Sequence, residues 1–147
     1  MKRKFISALM LIVVLVLAMA CFVGCGDEEG GSVKASVIYS DQQSVVIKID
    51  ETEDNATLID AMKTLRSEGK FSFESSTSQY GEMITSVNGL VAEGTYYWAC
   101  YTTDDEIADT ATTITIDGKV YYYALVGASM LEVKTGECYV WVHLSWA

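Results

Sequence analysis

Asn55-Ala-Thr-Leu-Ile-Asp-Ala-Met-Lys-Thr-Leu-Arg-Ser-Glu-Gly69 is the one stretch whose apolar residues recur at helical spacing: Leu58, Ile59, Met62 and Leu65 fall on a single face. Its ends are marked. Thr57 followed three residues later by Asp60 has the form of a capping box, and Glu51, Glu53 and Asp54 suit the positive start of a helix. Gly69 supplies a left-handed stop. The apolar face of this helix needs a sheet to cover.

The flanking residues provide strands. Residues 33–39 and 44–49 are β-branched runs around the polar turn Ser40-Asp41-Gln42-Gln43, which predicts a hairpin. Beyond the helix, residues 70–74, 83–87, 95–102, 112–116, 120–125 and 137–146 read as strands, with Asn88-Gly89 and Asp117-Gly118 as the sharpest turn signals. Two strands, one helix and a run of strands predict an α+β domain in which the helix packs on a mostly antiparallel or mixed sheet. The sequence has no proline and no internal repeat.

The first 32 residues read differently. Met1-Lys2-Arg3-Lys4 is followed by an apolar run over residues 5–23, the layout of a secretory signal or, on length alone, of a membrane anchor. The run ends in Cys21-Phe22-Val23-Gly24-Cys25, followed by the Gly- and acid-rich residues 26–32. Small residues before a cysteine and a polar stretch after it resemble the lipobox of bacterial lipoproteins, which implies cleavage and lipidation at that cysteine. Cys25 is favoured because Gly24 precedes it and a flexible tether follows; cleavage at Cys21, the alternative, leaves Phe22 and Val23 on the mature protein. The minus-three residue, Phe22 or Ala18, departs from the leucine of the usual pattern. The expected organisation is a signal peptide over residues 1–24, the lipidated cysteine and tether over 25–32, and one domain over 33–147. The protein is thus expected outside the cytoplasm, held to the bacterial membrane by its N-terminal lipid, the only covalent addition expected.

Charge narrows the partners. The formal net charge is -10, and loss of Lys2, Arg3 and Lys4 with the signal makes it more negative still, so nucleic acid and anionic headgroups are repelled. Catalysis has no positive sign. His143 is the sole histidine, no CxxC spacing occurs, and no GxSxG, phosphate-binding or dinucleotide-binding glycine pattern is present. Asp104, Asp105, Glu106 and Asp109 lack the spacing of a calcium loop, so no metal site is expected. A non-enzymatic module follows.

Aromatic residues crowd the predicted strands: Tyr96, Tyr97, Trp98, Tyr101, Tyr121, Tyr122, Tyr123, Tyr139, Trp141 and Trp146. They serve either sheet packing or the stacking of a planar ligand. Strand alternation separates Cys138, Val140, Val142 and Leu144 from Tyr139, Trp141, His143 and Ser145, and the second set makes the better candidate surface. Trp98, Tyr101, Tyr122, Trp141 and His143 are the candidate ligand-binding residues. Cys100 and Cys138 are either a disulfide between neighbouring strands or two small buried hydrophobes.

One family resemblance covers the chain from Thr57 to its end. It rests on residues 57–62 (TLIDAM), residues 81–90 (GEMITSVNGL), Tyr97-Trp98 with Tyr101, and Gly127 before the last strand. In their order and spacing these features resemble the DUF4430 family of bacterial proteins, which is similar to the C-terminal β-domain of transcobalamin and intrinsic factor. The resemblance implies a β-grasp-like fold and capture of cobalamin or another corrinoid for delivery to a membrane importer. This chain departs from the family where a Val-Asn-Gly turn usually follows the tryptophan strand; here residues 102–112 form an acidic loop. The helical domain that completes the cobalamin cage in transcobalamin has no counterpart in residues 33–147. The alternative expectation is a cell-surface module that recognises a protein or a glycan and has no small-molecule ligand. Oligomeric state is not legible in the sequence.

Overall fold

The computed structural model describes residues 31–147; the expected signal peptide, Cys21, Cys25 and most of the expected tether lie outside the described residues. Strand takes 55% of it and helix 11%. In chain order the elements are β1 (Val33–Ser40), β2 (Ser44–Thr52), α1 (Leu58–Ser67), β3 (Phe73–Ser78), β4 (Gly81–Val87), β5 (Leu90–Val91), β6 (Tyr96–Thr102), β7 (Ala108–Ile116), β8 (Lys119–Ala124) and β9 (Cys138–Ser145). A six-stranded sheet runs in the order β1-β2-β9-β6-β8-β7, and β3-β4-β5 form a second, three-stranded sheet. Every ladder is antiparallel.

This corrects the α+β, β-grasp-like expectation: the described residues are β-rich, with a curled antiparallel sheet, a smaller companion sheet and one α-helix. The physical reason is size. A ten-residue helix is about 15 Å long, whereas six strands span about 24 Å across the sheet, so α1 covers only part of the inner face. The rest is covered by Phe73, Ile84 and Val87 of the second sheet and by Ala128, Leu131 and Val133, which join Leu58, Met62 and Leu65 of the helix in one core.

The outer face is apolar too. Val46, Ala99, Tyr101, Cys138, Val140 and Val142 form a second cluster with Tyr121, and Ile114 and Ile116 pack beside it. The β7–β8 hairpin supplies those last three because it curls back over the sheet. It leaves β6 after two residue pairs, Tyr101 with Tyr123 and Thr102 with Tyr122. The corner is an irregularity in β7 between Asp109 and Thr113, where the Asp109 carboxylate accepts from the Ala111 N–H at 3.0 Å and from Thr112 Oγ1 at 2.6 Å. Near the hairpin tip, Lys119 Nζ lies 3.7 Å from Cys138 Sγ.

The local signals act as physics requires. Asn88-Gly89 and Asp117-Gly118 both take positive φ at each residue, the geometry of tight hairpin turns. At the helix start the Thr57 N–H and hydroxyl both donate to the Asp60 carboxylate, at 2.8 and 2.9 Å. The next two N–H groups, of Leu58 and Ile59, donate to the carbonyls of Leu131 (2.9 Å) and Ala128 (3.1 Å). Helix donors that would otherwise be orphans therefore pin the 128–131 segment. Asp60→Ala is expected to cost about 1 kcal/mol, read as a lower midpoint in urea denaturation.

Candidate functional site

Among the clefts on the surface of the described residues two stand out, and the pinned segment shapes the first. Its floor is the inner face of the large sheet at Trp98, Cys100 and Trp141, with Tyr97 at one side; Met83 and Ile84 of β4 form one wall and residues 124–128 the other. The volume is about 350 Å³. Besides the helix contacts, Glu82 N–H donates to Ser129 Oγ at 3.1 Å, tying the loop to β4. Gly81 makes that approach feasible: a Cβ there would sit 2.5 Å from Ser129 Oγ, and its φ of +98 suits glycine alone.

One unpaired strand edge, that of β6, meets this cleft. Trp146 N–H donates to Thr95 O, which sets the phase of the β6–β9 ladder so that Tyr97, Ala99 and Tyr101 bond to β9. Trp98 and Cys100 turn their peptide groups to the opposite side, where β8 reaches only Tyr101 and Thr102.

The mouth is apolar and exposed. Tyr80, Met83, Leu125 and Val126 line the cleft with relative exposures of 78%, 59%, 64% and 39%. At the floor, Trp141 is buried, and its indole Nε1 has no hydrogen-bond partner among the described residues. The indole N–H is thus enclosed in the floor, and what the cleft presents to a ligand is apolar. Trp98 differs: its Nε1 donates to Leu90 O at 2.9 Å, which fixes the ring.

The second cleft, about 660 Å³, lies between the β1–β2 turn, the β4–β5 turn and the start of β6, and has His143 in its wall. The His143 ring stacks on Tyr96 at 5.1 Å and 8° and touches Trp98 at 4.9 Å.

The five residues singled out from the sequence are thus divided. Trp98 and Trp141 share the first cleft, and His143 lines the second. Tyr101 is buried on the outer face, edge-on to Tyr123 at 5.5 Å, and burial holds its phenol above the usual range. Tyr122 is half-buried on β8 and lines neither cleft. The expected open face of β9 is closed: Tyr139 and Trp141 are buried in the helix-side core, because both faces of the sheet are covered. The residues that sequence reasoning passed over are Tyr80, Met83, Leu125 and Val126. Their signal was available, since a tyrosine at a hairpin tip and a Leu-Val pair in a loop have no core to fill there.

Cys100 and Cys138 are both free and buried. The disulfide that chain topology allows does not form, for a simple reason: Cys100 belongs to the helix-side core and Cys138 to the outer cluster, so the sheet itself separates them. Burial pushes the Cys100 thiol up to about 12. Neither is expected to react with a thiol reagent in native protein at about pH 8, while both react after unfolding in guanidinium; rapid native labelling of Cys100 would contradict its burial.

The acidic loop is used internally. Asp104 is buried, lies 2.9 Å from Lys134 Nζ, and accepts from Glu106 N–H at 3.1 Å. Glu106 also meets Lys134, and hydrogen bonds to Glu106 and Asp104 hold the Lys134 ammonium above its ordinary range. Among the described residues no group of three or more His, Cys, Asp or Glu is placed to hold a metal ion.

No family model matches the chain and no curated protein matches it.

Proposed function

We propose that the chain is an extracytoplasmic binding module, lipid-anchored at Cys25, which takes an apolar face of a small-molecule ligand into the cleft between β4, β6 and the 125–128 loop. The observation that carries this reading is a cleft floored by Trp98 and Trp141 and rimmed by the exposed apolar side chains of Tyr80, Met83, Leu125 and Val126. Ligand sites combine apolar walls with a few polar groups that fix orientation, and 350 Å³ lies in the lower part of the usual range of about 300–1,000 Å³. A corrinoid is the ligand class suggested by the resemblance to the DUF4430 and transcobalamin β-domains, with delivery to an importer as its purpose. A cleft this open covers only part of so large a ligand, so affinity in the micromolar range is expected.

The test is titration of the protein lacking its signal and lipid, residues 26–147, with cyanocobalamin and cobinamide. Tryptophan fluorescence, corrected for inner filtering and measured in a Trp146→Phe background because Trp146 is exposed, reports on Trp98 and Trp141, and equilibrium dialysis gives the stoichiometry. Saturable one-to-one binding supports corrinoid capture. No binding up to about 1 mM, a free energy weaker than about -4 kcal/mol, removes the corrinoid and leaves the cleft to another ligand with an apolar face.

A further inference from the structure

We propose that the second cleft, separate from the one assigned above, is a binding site for a neutral oligosaccharide. It is lined by Gln42, Gln43, Asn88, Glu93, Tyr96 and His143, with Leu90 and Val91 at one side. Each group has chemistry that a sugar uses. Tyr96 is 49% exposed and its ring is backed on one face by the near-parallel His143 ring, itself held against Trp98. That stack fixes an aromatic platform in advance, and an amphipathic ring suits the C–H face of a pyranose.

Hydroxyl groups both donate and accept, and so do carboxamides. The Gln43 backbone is fixed at both ends, its N–H donating to Asp41 Oδ1 at 2.8 Å and its carbonyl accepting from His143 N–H at 2.8 Å. The side-chain amides of Gln42 and Gln43 make no hydrogen bond among the described residues. Asn88 is oriented by a pair of bonds to Ser72: its Oδ1 accepts from Ser72 N–H at 3.0 Å and its N–H donates to Ser72 O at 2.8 Å. Both N–H bonds of the Asn88 amide therefore remain for a ligand. His143 Nε2, buried and without a partner, lies beneath the platform.

The same lining excludes other classes. Among the described residues no lysine or arginine borders the cleft and the chain carries a formal charge of -10, so phosphate, sulfate and uronic acids find no countercharge. The many amides leave no continuous apolar wall for a hydrocarbon ligand. A neutral polyhydroxylated molecule with apolar faces satisfies both conditions.

The experiment is ¹⁵N NMR on the full chain in a zwitterionic, sugar-free detergent, titrated to about 10 mM with cellohexaose, xylohexaose and chitin hexaose. Oligogalacturonate and a neutral Gly-Ser hexapeptide serve as controls. At least one neutral saccharide is expected to shift the amides of Gln43, Asn88 to Val91, Tyr96 and His143 in a saturable way. Tyr96→Ala is expected to weaken that binding about tenfold, and Tyr96→Phe to keep it within roughly twofold, since stacking needs the ring and not the hydroxyl. Tyr96→Phe also guards against loss of the fold. No shift with any neutral saccharide, or equal shifts with oligogalacturonate or the peptide, overturns the proposal. Corrinoid titration reads the other cleft, so the two assignments fail independently.

Discussion

Tyr139→Ala is expected to cost about 3–5 kcal/mol, a large share of the roughly 5–15 kcal/mol that holds a domain of this size. Tyr139 is fully buried on β9 at the centre of the six-stranded sheet, opposite Ile47 on one side and Thr102 on the other. Its ring belongs to the core beneath α1, so truncation opens a cavity that flanking strands cannot close. Its hydroxyl accepts from Lys134 N–H at 3.0 Å, tying the 133–137 turn to the sheet. Tyr139→Phe keeps the ring and leaves that N–H unpaired, for about 1 kcal/mol. Urea denaturation followed by tryptophan fluorescence separates the two: if Phe costs as much as Ala, the hydroxyl and not the packing fixes the core.

The same residue gives a signed pH dependence. Burial disfavours the phenolate and raises the Tyr139 phenol from 10.0 to about 12. The folded state then holds its proton more tightly than the unfolded state, so the stability from this group is complete below pH 10 and is lost as pH rises toward 12. Tyr139→Phe is expected to flatten part of the alkaline decline, since Tyr101 and Tyr121 are also raised by burial.

What the sequence makes legible here is local. Thr57, Asp60 and Gly69 bracket the helix, and Asn88-Gly89 and Asp117-Gly118 mark the hairpins, because each depends on backbone conformations that only a few residue types favour. Strand alternation likewise sorts Tyr139 and Trp141 from Val140 and Val142. It says which residues share a face, not whether that face is covered. For Tyr139 the covering came from α1 and the 128–133 segment, and for Val140 from Tyr121 of a hairpin that turns back at Asp109. Both depend on contacts distant in sequence. The opposite faces of Cys100 and Cys138 follow from register, and the Asp104–Lys134 pair bridges two loops; no spacing rule announces either. In the same way Trp98 and Trp141 are two strands' contributions to one cleft, whereas Tyr101, three residues beyond Trp98, faces away from it.

Met83→Asp combined with Leu125→Asp is expected to weaken capture of a ligand's apolar face in the first cleft by roughly 30- to 150-fold. Closing a ligand over an unpaired polar or charged group costs about 2–3 kcal/mol. In the free protein both carboxylates stay in water, since Met83 and Leu125 are 59% and 64% exposed, so stability should change by no more than about 0.5 kcal/mol per site. That contrast is the useful feature: binding falls while the fold does not. Trp141→Phe probes the floor instead of the mouth. It preserves an aromatic ring and deletes the indole N–H, so a ligand that accepts a hydrogen bond from it should lose about five- to tenfold, while the free protein should lose about 1–2 kcal/mol because Phe leaves part of the buried indole's volume empty. With cobinamide as the probe, a double aspartate variant that binds as tightly as the parent would place the ligand elsewhere on the molecule. If the aspartates weaken binding and Trp141→Phe does not, the ligand sits at the apolar mouth and never reaches the indole.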